Sequence, residues 1–313
     1  MTQTKLHVGI DVSKDRLDVA IFETGELFSV GNDGSGHAAL IERLSDCCIG
    51  AIGLEASGGY ERGVLKALWQ AGLPVRRINP YRLRQFAGAI GVNAKNDRLD
   101  ARLIARFLAT LPTRPVELDP GLELLIELVT ARRQLKDELS RVDNQVEHVR
   151  DAGLKRLAKR RAARLDADVR LLDKRIAEAI AANLVLAHRD RLLRSVPCVG
   201  PVLSATLIAL LPELGRLSNR QIAALVGLAP YDHDSGKLKG KRCIWGGRQA
   251  VRNVLYMAAL SAGVHNPLFA TFRQRLRDKG KPAKVAIVAV MRKLITTLNA
   301  MMRTDEPWNH ASL

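Results

Sequence analysis

The chain has 313 residues, 47% hydrophobic but only 4% aromatic, and 49 Lys and Arg against 32 Asp and Glu give it a formal charge of +17 and a pI near 10.2. That length excludes a minimal domain and leaves room for two or three units with real cores, while the excess of bases points to a polyanionic partner. Residues 1–110 hold 14 bases and 12 acids, 111–185 hold 15 and 13, and 186–313 hold 20 and 7, so the charge is concentrated toward the C-terminus. Cys47, Cys48, Cys198 and Cys243 lack zinc-ligand spacing and follow no secretory layout, which predicts reduced thiols in a soluble cytoplasmic protein. No apolar run is expected to reach the ~20 residues of a membrane helix.

Leu6 to Phe22 reads as two strands. Leu6, Val8 and Ile10 alternate with His7 and Gly9, Asp11 stands at the strand's end, and Leu17, Val19 and Ile21 resume the period of two after a polar turn. Gly9 permits close approach of another backbone or a ligand beside Asp11. A carboxylate at the mouth of a buried strand costs roughly several kcal/mol unless it is liganded or neutralised, although capping of its own turn is the alternative. Glu26–Val30 fits a third strand, Ala38–Leu44 a helix, and Ala51–Glu55 a short buried strand that ends in a second acid, Glu55. A helix then runs through Leu65 and Leu68 to Trp69, Gly72 stops it, and Pro74–Ile78 gives one more strand. This alternation predicts an α/β layer domain over residues 1–112.

Asn79-Pro80 opens a helical stretch, after which Asp97 and Asp100, three residues apart, share one face of a helix whose apolar stripe is Leu99, Leu103, Ile104 and Phe107. The pair either joins the two strand-end acids or is solvated and bonded to Arg98, Arg102 or Arg106. Residues 113–190 read as a helical hairpin or coiled-coil arm, with Leu122, Leu125, Leu128, Leu135, Leu139, Val142 and Val146 at threes and fours and a break expected at Gly153. Beyond that break Lys155, Arg156, Lys159, Arg160 and Arg161 could grip a phosphate backbone, or form a solvated face ahead of Asp166 and Asp168.

Residues 191–313 are expected to be a mainly α-helical domain. Pro197, Val199, Gly200 and Pro201 form a turn of helix-hairpin-helix layout, with Cys198 where glycine is usual, and Ser218 with Gln221 forms a capping box. The loop that follows places Ser235 among Lys237, Lys239, Lys241, Arg242, Arg248 and Arg252, with four glycines from Gly236 to Gly247. Bases of that density make a phosphodiester cradle in which a serine, once deprotonated, is a nucleophile; an ordinary Ser-Gly turn on a basic surface is the alternative. His233 is a conceivable base, and Pro282–Met302 reads as a packing helix.

Taken in order, HVGIDVSK, GLEASGGYE, KNDRLDARLIA, VPCVGP, LVGLAPYDHDSGKLKGKR and KVAIVAVMRKL give the chain a resemblance, over nearly its whole length, to the DEDD transposases of the bacterial insertion-sequence family one-ten. Cys198 and Asn96, where threonine is common, are small departures. The resemblance implies a RuvC/RNase H-like N-terminal domain, a coiled-coil arm and a C-terminal transposase domain. It implies that Asp11, Glu55, Asp97 and Asp100 bind two Mg²⁺ or Mn²⁺ ions and that Ser235 forms a covalent phosphoserine with DNA. It further implies a structured guide RNA, the bridge RNA, that pairs with donor and target DNA, and a homodimer or homotetramer with no membrane partner. A junction nuclease that uses water, or a non-catalytic nucleic-acid scaffold, are the competing readings.

Overall fold

The period-two pattern near the N-terminus becomes a five-stranded mixed sheet in the computed structural model of the chain, which describes residues 5–56, 58–92, 97–116, 120–231 and 243–309. Two units divide the chain, Met1–Asp119 and Pro120–Leu313. The first contains β1 (Leu6–Val12), β2 (Arg16–Ile21), β3 (Leu27–Gly31), α1 (Gly34–Ser45), β4 (Ile49–Glu55), α2 (Glu61–Gln70), β5 (Val75–Ile78), α3 (Pro80–Ala89) and α4 (Asp97–Thr110). The strands take the order β3-β2-β1-β4-β5, with β2 antiparallel to β1 and β3, and β4 parallel to β1 and β5.

Alternation sends the two faces of this sheet to different partners. Val8, Ile10, Val12, Leu17, Val19, Ile52 and Leu54 pack with Leu40 and Leu44 of α1 and with Val64, Leu65 and Leu68 of α2. The other face is small-residued: Gly9 lies opposite Ala20 on one side and Gly53 on the other. Here α4 descends onto the backbone. A Cβ on Gly9 would overlap the Ala101 carbonyl oxygen and the Ala105 nitrogen, and one on Gly53 would stand 2.8 Å from Cδ1 of both Ile78 and Leu108. Burying Ile104, Phe107 and Leu108 there stabilises the layer by about 1.5–3 kcal/mol per side chain. Asp33 and Asn79 cap α1 and α3 by accepting from the Gly36 and Tyr81 backbone N–H groups, each at 2.8 Å.

In the second unit α5 (Pro120–His148) and α6 (Ala152–Ala181) lie antiparallel, tied by the Arg132–Asp173 and Arg161–Glu138 ion pairs. The helices break at 149–151 rather than at Gly153. Asp151 accepts from the Leu154 N–H at 2.8 Å as the N-cap, which leaves Gly153 inside the first turn. There follow α7 (Leu184–Arg194), α8 (Pro201–Leu210), α9 (Asn219–Val226), β6 (Pro230–Tyr231), β7 (Cys243–Ile244), α10 (Gln249–His265), α11 (Pro267–Asp278) and α12 (Ala283–Thr304). Leu122, Leu125, Leu128, Ile176 and Ile180 share one apolar cluster with Leu193, Leu207, Leu255 and Leu294. The segments expected as an arm and a C-terminal domain therefore form a single unit.

The capping box is present: the Gln221 N–H donates to Ser218 Oγ and the Ser218 N–H to Gln221 Oε1. By length and composition α12 reaches membrane-span criteria, contrary to expectation, yet it is a core helix. Val290, Leu294, Ile295 and Leu298 are fully buried, and the fully buried Asn299 accepts from Gly215 N and donates to Leu217 O and Asn219 Oδ1.

Gly9→Ala is expected to lower unfolding stability by about 1–3 kcal/mol or more, because the methyl meets helix backbone that has nowhere to move; urea denaturation followed by circular dichroism reads it. Cys198 stands at φ +88, and burial pushes its thiol up to about 11, whereas Cys243 is exposed. At pH 8 Cys198 is protonated, so iodoacetamide should label Cys243 well before it, as peptide mass spectrometry would show.

Candidate functional site

Asp11 and Glu55 belong to the α4 face of the sheet, because each stands two residues beyond a glycine of the Gly9–Gly53 pair. The last registered pair between these parallel strands is Ile10 with Leu54, so the two acids follow side by side at the strands' C-terminal ends. The chain direction of α4 completes the arrangement. Its later residues Phe107 and Leu108 cluster with Ala51, while Ala101 sits over Gly9, so the helix runs against the strands and begins at the acidic end of the sheet.

Asp97 stands one helical turn before Ala101, and Asp100 one turn before Ile104. A turn rises about 5.4 Å and two strand residues about 6.6 Å, so the start of α4 reaches the level of Asp11 and Glu55. The structure thus brings Asp11, Glu55 and Asp100 to one end of the sheet, each half-buried and none without a partner. The Asp97 side chain lies outside the described residues. Among the described residues no three His, Cys, Asp or Glu side chains close into an ion cage. Hard carboxylate oxygens are nevertheless the donors that suit a divalent cation of the Mg²⁺ or Mn²⁺ type.

Asp18 is a member of this neighbourhood that the sequence did not bring forward. It lies directly across from Asp11 on β2 and is only 4% exposed. Its carboxylate accepts from Ser29 Oγ at 2.5 Å and from Arg16 Nε at 3.0 Å, and it borders a cavity of about 150 Å³ with Ser29, Leu27 and Ala101. Asp18 alternates with Leu17 and Val19, so it falls on the opposite face of the sheet, which α4 covers. The loop after Glu55 is braced by Glu61, 6% exposed, which accepts from the Gly59 N–H at 2.9 Å, with Gly59 at φ +116.

Ser235, Lys237, Lys239, Lys241 and Arg242 lie outside the described residues. The described residues on either side form a short antiparallel ladder, Pro230 with Ile244 and Tyr231 with Cys243. Arg248 and Arg252, expected as phosphate contacts, brace the fold. Arg248 grips the Glu213 carboxylate at 2.5 and 2.6 Å and the Leu210 carbonyl at 2.9 Å, and Arg252 donates to the Gly246 carbonyl. Arg248 ties the start of α10 to the end of α8, and Arg252 Nη1 also donates to the Val226 carbonyl at the end of α9 at 3.5 Å. Lys155, Arg156, Lys159 and Arg160 are exposed on α6, while Arg161 pairs with Glu138. At the turn between α7 and α8, Cys198 takes the left-handed conformation that glycine would adopt freely, at a cost of about 1–2 kcal/mol.

Two family profiles match the chain: a DEDD transposase profile over residues 8–152 and the transposase IS116/IS110/IS902 profile over residues 190–274. The pilin gene-inverting proteins of Moraxella bovis and Moraxella lacunata are 26% and 27% identical over 98% of this chain and 98% of their own lengths. The insertion element IS900 42 kDa protein of Mycobacterium paratuberculosis is 30% identical over 48% of this chain and 39% of its own. Among solved structures, T. thermophilus RuvC in complex with a Holliday junction substrate is 18% identical, with a TM-score of 0.28, over 36% of this chain and 100% of that one.

Arg248→Ala is expected to lower stability by about 1–2 kcal/mol, through loss of charge-assisted bonds at a partly exposed site, while leaving the salt dependence of nucleic-acid binding unchanged. Thermal denaturation and affinity across a salt series separate the two roles.

Proposed function

The chain belongs to the IS116/IS110/IS902 family of transposases, and on that premise we propose that it cuts and rejoins DNA strands at a divalent-metal site formed by Asp11, Glu55, Asp97 and Asp100. The observation that carries this reading is the meeting of two parallel strand ends, each bearing an acid, with the opening turn of α4. Four carboxylates so placed repel one another. Two bound Mg²⁺ or Mn²⁺ ions would offset that charge and supply Lewis acidity to a scissile phosphate.

Ser235 is the nucleophile in this reading. Its Oγ attacks phosphorus as its proton is removed, the bond to one strand's terminal oxygen breaks, and that oxygen departs as a hydroxyl. Attack by a second strand's hydroxyl on the phosphoserine reverses these steps and releases Ser235, so no bond energy is lost. Lys237, Lys239, Lys241 and Arg242, close in sequence to Ser235, would stabilise the charge developing on the phosphate. Relatives named for gene inversion, matched across almost both whole lengths, support rejoining as well as cutting.

DNA is the substrate, with Lys155, Arg156, Lys159 and Arg160 as exposed phosphate contacts. A structured guide RNA would supply sequence choice by pairing, since the basic residues themselves read only phosphate. The α5–α6 hairpin would serve as a coiled-coil contact within a homodimer or homotetramer acting in the cytoplasm.

With element-end DNA and Mg²⁺, the wild-type protein should form a covalent adduct visible as a band retarded on denaturing gels, and Ser235→Ala should abolish it. Asp11→Asn should retain binding but lose strand cleavage by more than about a hundredfold. Undiminished cleavage by Ser235→Ala, with no adduct from wild type, would assign the attack to water instead.

A further inference from the structure

We propose that the corner between α11 and α12 is a second nucleic-acid contact, a preformed clamp for a phosphodiester backbone; this takes from the function proposed above only that the partner is nucleic acid. From Pro267 to Thr304 the chain carries Arg273, Arg275, Arg277, Lys279, Lys281, Lys284, Arg292, Lys293 and Arg303 against one acid, Asp278. Arg275, Arg277, Lys279, Lys281, Lys284 and Arg292 are all exposed. Among the described residues no carboxylate pairs with any of these six, whereas the basic tract of α6 is laced with the Arg161–Glu138 and Arg170–Asp166 pairs. Like charges packed without counter-charges repel, and an anion laid across them relieves that repulsion.

The turn that displays them is rigid. Lys279 N donates to Arg275 O, Gly280 N to Arg277 O at 2.9 Å and Lys281 N to Leu276 O at 3.1 Å, and Arg277 Nη1 closes the loop on the Lys281 carbonyl at 2.7 Å. Below it Phe272 joins the two helices, with Arg275 of α11 at 5.4 Å and Lys293 of α12 at 5.0 Å from its ring centroid. Asp278, the one acid, accepts from Gln274 at 2.7 Å. On α12, Lys284 and Arg292 are eight residues apart, about 12 Å along the axis and about 80° around it. Phosphates along one strand of a duplex advance about 3.4 Å each along the axis, so these two side chains match phosphates about three to four steps apart. The backbone that carries these side chains is already ordered, which distinguishes this corner from a mobile basic tail.

The test uses the full-length protein in EDTA, where binding is read without cleavage, by fluorescence anisotropy with a labelled DNA duplex and a labelled stem-loop RNA over a KCl series. The combined variant Lys279→Glu, Lys281→Glu, Lys284→Glu and Arg292→Glu should bind at least about tenfold more weakly, and the slope of its log K against log salt should become shallower by about 0.9 for each duplex phosphate it no longer neutralises. Weaker binding of the duplex alone identifies DNA as the occupant, and weaker binding of the stem-loop alone identifies RNA. The triple Lys→Arg variant at 279, 281 and 284 keeps the charge and should keep the affinity, and unchanged helicity by circular dichroism shows that folding is intact. Equal affinity and slope of the Glu variant and wild type on both probes would overturn the clamp. Failure of wild type to bind either probe would overturn it together with the proposed reaction.

Discussion

The first unit depends on one contact: α4 laid over Gly9 and Gly53, where the sheet has no side chains, with its backbone against Gly9 and its Ile104 and Leu108 side chains against Gly53. Those glycines lie in register on adjacent parallel strands, so they make a flat patch that a helix can approach more closely than any pair of larger residues would allow. Direction follows from the rest of the interface. With Ala101 over Gly9 and Leu108 beside Gly53 and Ala51, α4 runs against β1 and β4, and its acidic first turn falls at the strand ends where Asp11 and Glu55 stand. The near match between one helical turn and two strand steps converts a packing contact into a convergence of acids drawn from three separate elements.

The second unit uses charge differently. Arg248 and Arg252 are drawn inward to satisfy carbonyls and the Glu213 carboxylate where helices end, and Asn299 does the same for the turn before α9. Buried helix termini leave carbonyls and N–H groups that must find partners, and long side chains from later helices supply them. Bases on the exposed side of α6 and at the α11–α12 corner remain outward, as do others such as Arg133, Lys136, Arg216 and Arg220. The net excess of positive charge is therefore divided between internal bracing and surfaces suited to phosphate.

Much of this was legible in the chain itself. The alternation at Leu6–Ile10 and Leu17–Ile21 marked strands because a half-buried sheet imposes a period of two, and the resulting strands separate Asp11 from the apolar face as that period requires. Ser218 and Gln221 marked a helix start because capping is a local hydrogen-bond exchange. Gly153 misled, since a glycine is a generic breaker while Asp151 two residues earlier holds a specific bond to the helix. The bracing by Arg248 was illegible for the opposite reason: its place in a basic stretch of sequence said nothing of Glu213, 35 residues away, which only folding brings near.

By itself the sequence determined the strands, most helices and the family to which the motifs in their order belong, because each rests on local periodicity, capping or motif spacing. Tertiary structure alone decided that Asp100 lies at the end of the sheet where the strand-end acids stand, that Asp18 stands opposite Asp11, and that α5 and α6 share a core with the C-terminal helices. These are contacts between segments far apart along the chain, fixed by register and by the space two glycines leave, and no local pattern carries that information.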